Sequence, residues 1–164
     1  MTKTPQTEPD LSAIHLWLLL WKASRAVEAN STRSIARFDM GTTDFGILEA
    51  LLHKGPLSVT HLRQKVLLTS GSMTTAVDRL EARGLVARHD DVKDRRARII
   101  RLTPEGQRLI ECAFADHREQ MEAALAGFSN DDRAQLLPLL RRLGRVAEST
   151  FHAAPTGADE RREE

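Results

Sequence analysis

Apolar residues recur at intervals of three and four over most of this chain, and the interruptions fall where Gly, Pro and hydroxyl residues cluster. A first helix is predicted over about Leu11–Ala36. Leu11, Ile14, Leu18 and Trp21 form one stripe on it, and Leu16, Trp17, Leu19 and Leu20 fill its other faces. A helix apolar on nearly all sides is covered by more than one neighbour, and in a chain of 164 residues a second subunit is the natural cover. Trp17 and Leu18 are therefore expected to lie in a dimer interface.

A second helix follows over about Thr43–His53, with Phe45, Leu48, Leu51 and Leu52 inward, and Gly55-Pro56 stops it. Ser58 is the predicted N-cap of a third helix that turns Val59, Leu62 and Val66 inward. A fourth opens after Thr69-Ser70-Gly71, buries Met73, Ala76, Val77 and Leu80, and ends at Gly84. Two short strands come next, Leu85–His89 and Ala97–Leu102, joined by a stretch too charged to pack. Thr103-Pro104 starts a long fifth helix, the threonine as cap and the proline in the first turn, and Gly127 ends it. A sixth begins at Ser129 with Asp132 in the capping-box position and carries Leu136, Leu139, Leu140, Leu143 and Val146; Pro138 is expected to kink it. The predicted architecture is mainly α, six helices and a small β-hairpin. Residues 1–10 and 153–164 form polar tails around a single domain over residues 11–152.

Two short helices separated by a Thr-Ser-Gly turn match helix-turn-helix spacing, in which the second helix enters the DNA major groove with its N-terminal half. On the face opposite Met73, Val77 and Leu80 lie Ser72, Thr75 and Arg79, with Thr74 and Asp78 beside them. Short hydroxyls permit close backbone approach, Arg79 reaches a phosphate or guanine edge, and the amides around Ser70 and Gly71 suit a phosphate. Taken alone, the same residues also describe an ordinary polar helix face with good caps.

The charge pattern changes that balance. Formal net charge is only +1, yet Lys54 to Arg101 carries eleven basic residues against five acidic, and Thr103 to Asp132 two against seven. Such sorting suits a polyanion-binding lobe on an acidic scaffold. Lys93, Arg95, Arg96 and Arg98 fall in the hairpin, flanked by Arg88 and Arg101, so a hairpin tip can lay guanidinium groups in a minor groove. Asp94, two residues before Arg96, is placed to orient it. The competing description is a solvated charge run with internal ion pairs, each worth little.

Other chemistry is thin. No nucleophile elbow, phosphate loop, dinucleotide fingerprint or zinc-protease motif occurs, and the six histidines show no ligand spacing, so neither catalysis, a metal nor a cofactor is expected. The longest apolar run, Leu16–Trp21, is too short for a membrane span, and no leader-like segment opens the chain, so a cytoplasmic location is expected. The lone Cys112 excludes an internal disulfide.

The run LLTSGSMTTAVDRLEARGLVAR from Leu67 to Arg88, followed by DRRARIIRLTPEG from Asp94 to Gly106, resembles the MarR family of winged helix-turn-helix regulators. The hallmark is the ordered set: recognition helix, RLE-x-x-GLV exit, D-x-R wing and LT-x-x-G re-entry. The likeness extends more loosely over about Leu11–Phe151. It implies a homodimer held by the N- and C-terminal helices, residues 11–36 and 104–152, with Leu11, Ile14, Trp17, Leu18, Leu136, Leu140 and Leu143 at the interface. It also implies a DNA-binding lobe over residues 43–102, set on a pseudo-palindromic duplex in the bacterial nucleoid. Ser70, Gly71, Ser72, Thr74, Thr75 and Arg79 then belong to the recognition helix, and Asp94 and Arg96 are the D-x-R pair. Similar proteins repress nearby genes and are released by small aromatic or phenolic ligands. The phrase KVLLTSGSMT, Lys65 to Thr74, resembles the branch responding to hydroquinones.

The same resemblance places an effector between the dimer helices and the DNA-binding lobe. Trp17, Trp21 and Arg25 on one face of the first helix, with His53, are the candidate lining. Plain dimer core for the tryptophans, and a helix-terminal dipole partner for His53, are the alternatives. Cys112 falls in the fifth helix, away from the N-terminal position of the peroxide-sensing branch, so it is expected to be packed there and not to sense oxidants. A winged-helix module used for protein contact, without DNA binding, is the competing function.

Overall fold

The computed structural model describes residues 10–66, 70–90 and 98–153. Six helices and three strands lie among them, in the order α1 (Ala13–Ala36), α2 (Thr42–Lys54), β1 (Leu57–Ser58), α3 (Val59–Val66), α4 (Ser70–Ala82), β2 (Val86–Asp90), β3 (Arg98–Leu102), α5 (Pro104–Ala124) and α6 (Asn130–Ala153). None of the helices among the described residues is long and apolar enough to cross a membrane. Two compact units emerge, Met1–Ala124 and Leu125–Glu164.

Local chemistry sets the helix ends. The Ser12 hydroxyl accepts from the His15 amide at 3.2 Å, which starts α1 two residues later than the apolar pattern implied. Ser58 caps α3 in the same way, accepting from the His61 amide. α4 closes on Gly84, whose φ of 70° places it in the left-handed region. There the Gly84 amide donates to the Glu81 carbonyl and the Leu85 amide to the Leu80 carbonyl, so two orphan carbonyls are satisfied. At α6 the Ser129 hydroxyl accepts from the Asp132 amide while the Asp132 carboxylate accepts from the Ser129 amide. Pro138 is accommodated within that helix.

The sheet runs β1-β3-β2, antiparallel throughout. Strand β1 was not expected: two residues, Leu57 and Ser58, show no periodicity, and only pairing with Ile100 and Ile99 reveals them as a strand. The first unit's core joins α2, α3, α4, the sheet and α5 through Ile47, Leu48, Leu62, Met73, Val77, Leu80, Ile100 and Ile110, all buried.

A small polar knot fixes how α5 leaves the sheet. The Thr103 hydroxyl donates to the Gly84 carbonyl at 2.7 Å and accepts from the Gly106 amide, while the Thr103 amide donates to the Leu85 carbonyl. A Cβ on Gly106 would sit 1.9 Å from the Leu85 carbonyl oxygen. The LT-x-x-G signature is thus a requirement of contact distance: the first turn of α5 lies against the turn that ends α4.

Cys112 corrects an expectation. It is exposed on α5, because Ile110 and Ala113 occupy the buried face and residue 112 is turned about 160° around the helix from the first and about 100° from the second.

Candidate nucleic-acid interface

The fourth helix divides sharply into two faces. Met73, Ala76, Val77 and Leu80 are buried, whereas Ser72, Thr74, Thr75, Asp78 and Arg79 are exposed. The period of 3.6 separates them, and the buried set anchors the helix so that the hydroxyl face is carried by a packed core. Ser70 and Gly71 lie in the first turn of this helix.

Arg79 is tied inward as well as exposed. Its Nε and Nη2 donate to the two oxygens of Asp44 at 3.0 and 2.5 Å, a bidentate pair between α4 and the first turn of α2. The Asp44 side chain is 4% exposed, that of Arg79 49%. The hydrogen bond and the charge of Asp44 hold the Arg79 pKa above its ordinary value. A cleft of about 480 Å³ opens beside the pair, with Arg83 also on its wall. Arg83 in turn donates to the Asp39 carbonyl at 2.9 Å.

Antiparallel strands β2 and β3 form the hairpin. Asp90 stands opposite Arg98 in the ladder and pairs with it, while Arg98 remains exposed. Arg88 reaches away from the hairpin to α4: its Nη2 donates to Asp78 at 2.5 Å and its Nη1 to Glu81. Lys93, Asp94, Arg95 and Arg96 lie outside the described residues.

A model described as the MarR family matches residues 38–97, from just before α2 to the end of the segment joining β2 and β3. The HTH-type transcriptional regulator MhqR of Bacillus subtilis is 30% identical over 140 residues, covering 85% of this chain and 96% of the relative. YkoM, an uncharacterized HTH-type transcriptional regulator of the same organism, is also 30% identical, over 132 residues, covering 80% of this chain and 86% of its own.

The chain belongs to the MarR family.

Among solved structures, one describing regulation of DNA binding of Bordetella bronchiseptica BpsR by 6-hydroxynicotinic acid superposes with a TM-score of 0.71 at 25% identity. It covers 79% of this chain and 98% of that one. As a MarR-family chain the protein is a winged helix-turn-helix transcriptional regulator, and the two relatives named above are HTH-type transcriptional regulators.

Other residues singled out from the sequence of this MarR-family chain lie on α1 or just before it, on α2 and on α6. Trp17 and Trp21 are exposed on α1, and the Arg25 guanidinium lies 5.5 Å from the Trp21 ring centroid. His53 stacks edge-on against Phe114 of α5 at 4.7 Å. A groove of about 370 Å³ borders His53, Lys54 and Lys65, and none of Trp17, Trp21 and Arg25 lines it. Leu11, Ile14, Trp17, Leu18, Leu136 and Leu140 are all exposed large apolar residues, and Leu143 is half-buried.

Sequence reasoning missed Asp44 and the partners of Arg88. An acidic residue in a first helical turn is ordinarily explained by the helix dipole, so nothing local marks Asp44 as buried. Asp78 stands beside the polar face of α4 in the sequence and Glu81 carries no mark of its own; the register of β2 brings Arg88 over both.

Proposed function

We propose that this protein is a homodimeric, sequence-specific DNA-binding repressor that a small aromatic or phenolic ligand releases from its operator. The carrying observation is the two-faced α4: a fully buried Met73-Ala76-Val77-Leu80 side holds an exposed Ser72-Thr74-Thr75 side in a fixed orientation. In this reading residues 70–79 enter the major groove, and Lys93, Asp94, Arg95, Arg96 and Arg98 serve the minor groove and flanking phosphates.

Two further observations support the assembly and its control. α1 exposes Ile14, Trp17 and Leu18, and α6 exposes Leu136 and Leu140; a second copy of the chain is the partner that covers them. The BpsR structure, whose DNA binding 6-hydroxynicotinic acid regulates, supports a small aromatic effector here. In this reading Trp17, Trp21, Arg25 and His53 line the effector site of the assembled dimer. A ligand that favours a lobe spacing mismatched to DNA needs a coupling of only about 1–3 kcal/mol to act as a switch.

The test is binding of the purified protein to the intergenic duplex beside its own gene, by gel shift, across a salt series. Affinity falls linearly with salt on logarithmic axes, Arg96→Ala weakens it by about tenfold through loss of phosphate contact, and a phenolic acid found by thermal shift abolishes the complex. No duplex binding at any ionic strength makes the chain a protein-contact module instead.

A further inference from the structure

Asp78 and Glu81 put two carboxylates on the very helix that the proposed function offers to a polyanion. Unmasked, they repel the phosphates that the neighbouring arginines attract. The structure supplies the counter-charge from the other element of the lobe. Arg88 lies on β2, held in the ladder opposite the fully buried Ile100, so its backbone position is set by the sheet. From there Nη2 donates to Asp78 Oδ1 at 2.5 Å and Nη1 donates to Glu81 Oε2. The second oxygen of Glu81 accepts from the Arg88 backbone amide at 3.2 Å. One glutamate thereby grips both the main chain and the side chain of one strand residue. The Arg88 side chain is 26% exposed, against 58% for Asp78 and 39% for Glu81, so the cation is the least hydrated member of the group.

We infer that Arg88 is a positioning and charge-masking residue: it clamps the first wing strand onto the recognition helix and neutralises carboxylates there that would otherwise oppose DNA, and it is not itself a phosphate contact. This rests on the DNA-binding reading above. Its origin is the distribution of donors. Both terminal nitrogens of Arg88 are engaged with α4, in directions set by the helix. The three side chains sum to a formal charge of −1, from one Arg, one Asp and one Glu. Loss of the arginine leaves −2 per subunit beside the groove-facing hydroxyls, and removal of all three charges leaves zero. A direct phosphate contact makes the opposite forecast, because freeing Arg88 from its carboxylates would then improve binding and deleting it would harm binding whatever else is changed.

The experiment measures fluorescence anisotropy of a labelled random-sequence 30-base-pair duplex and of the intergenic duplex, at several salt concentrations. The proteins are the full chain, Arg88→Gln, and the triple variant Arg88→Gln/Asp78→Asn/Glu81→Gln, each checked for an unchanged circular dichroism spectrum. The Asp78 pair is exposed and the Glu81 pair only partly buried, and no carboxylate of the cluster is enclosed in the core, so all three are expected to fold. Arg88→Gln is expected to bind about tenfold more weakly near 0.1 M salt, the loss shrinking as salt rises. The triple variant is expected to bind at least as tightly as the unmodified protein. A triple variant that stays as weak as Arg88→Gln, or an Arg88→Gln protein with undiminished affinity, overturns the masking role while leaving DNA binding standing. Failure of the unmodified protein to bind either duplex ends both readings.

Discussion

The lobe from α2 to β3 and the helices at the two ends of the chain use apolar residues in opposite ways. In the lobe, Leu48, Leu62, Met73, Leu80 and Ile100 are buried within one subunit. In α1, Trp17 stands 58% exposed, and from Ser12 to Ala29 no residue is buried. Along α6, no described side chain is buried either. Yet these helices carry Leu, Ile, Trp and Val at helical spacing as richly as the lobe does. A chain that completes one core and leaves two apolar faces open within a single subunit has a lobe packed by its own residues and ends that, in the homodimeric reading proposed above, a second copy covers. The junction between the two regimes is polar: where α1 reaches its buried end, Ser34 bonds His117 at 2.7 Å and Arg37 pairs with Asp116 at 2.8 Å.

That contrast breaks cleanly under two substitutions. Leu80→Ala opens a cavity in the lobe core and is expected to cost about 2–5 kcal/mol, seen as a lowered urea midpoint with the dimer intact by sedimentation. Leu140→Asp on α6 is expected to cost about 2 kcal/mol or more in self-association, roughly thirtyfold in the dimer dissociation constant. It leaves the lobe's helical signal in place and produces monomer at micromolar concentration. A Leu140→Asp protein sedimenting like the unmodified chain removes α6 from the interface.

Legibility followed the same divide. Helices with clear amphipathic faces were readable to within a few residues, because the 3.6 period and the capping residues Ser58, Gly84, Thr103 and Ser129 act locally. The inward residues of α4 were identified from spacing alone. Strand β1 escaped because two residues have no period, and its existence depends on β3 across the sheet. The exposure of Cys112 escaped because the fully buried stripe of the fifth helix is narrow, Gly106, Ile110 and Ala113, with Leu109 and Phe114 partly covered beside it, and residue 112 falls outside both. Charged residues were the least readable class. Composition marks the segment around them as basic, but whether an arginine faces a duplex or an internal carboxylate depends on partners distant in sequence. Asp44 and Arg79 are 35 residues apart, and Arg88 lies ten from Asp78 across a turn.

Arg79 carries that ambiguity into an experiment. It belongs to the exposed face of α4, yet two of its nitrogens are given to a carboxylate inside the lobe. If the guanidinium serves chiefly as a brace, the two partners are unequal. Arg79→Ala leaves the buried Asp44 charge without its counter-ion, whereas Asp44→Asn leaves a half-exposed arginine that water can solvate. The first is therefore expected to cost about 1–3 kcal/mol in urea unfolding and the second distinctly less. The double variant Arg79→Gln/Asp44→Asn is expected to recover most of the stability, since both charges leave together. Duplex affinity then separates brace from contact: a recovered fold with recovered binding assigns Arg79 to the architecture of the lobe, and a recovered fold with weak binding and a shallower salt dependence assigns its remaining donors to a phosphate.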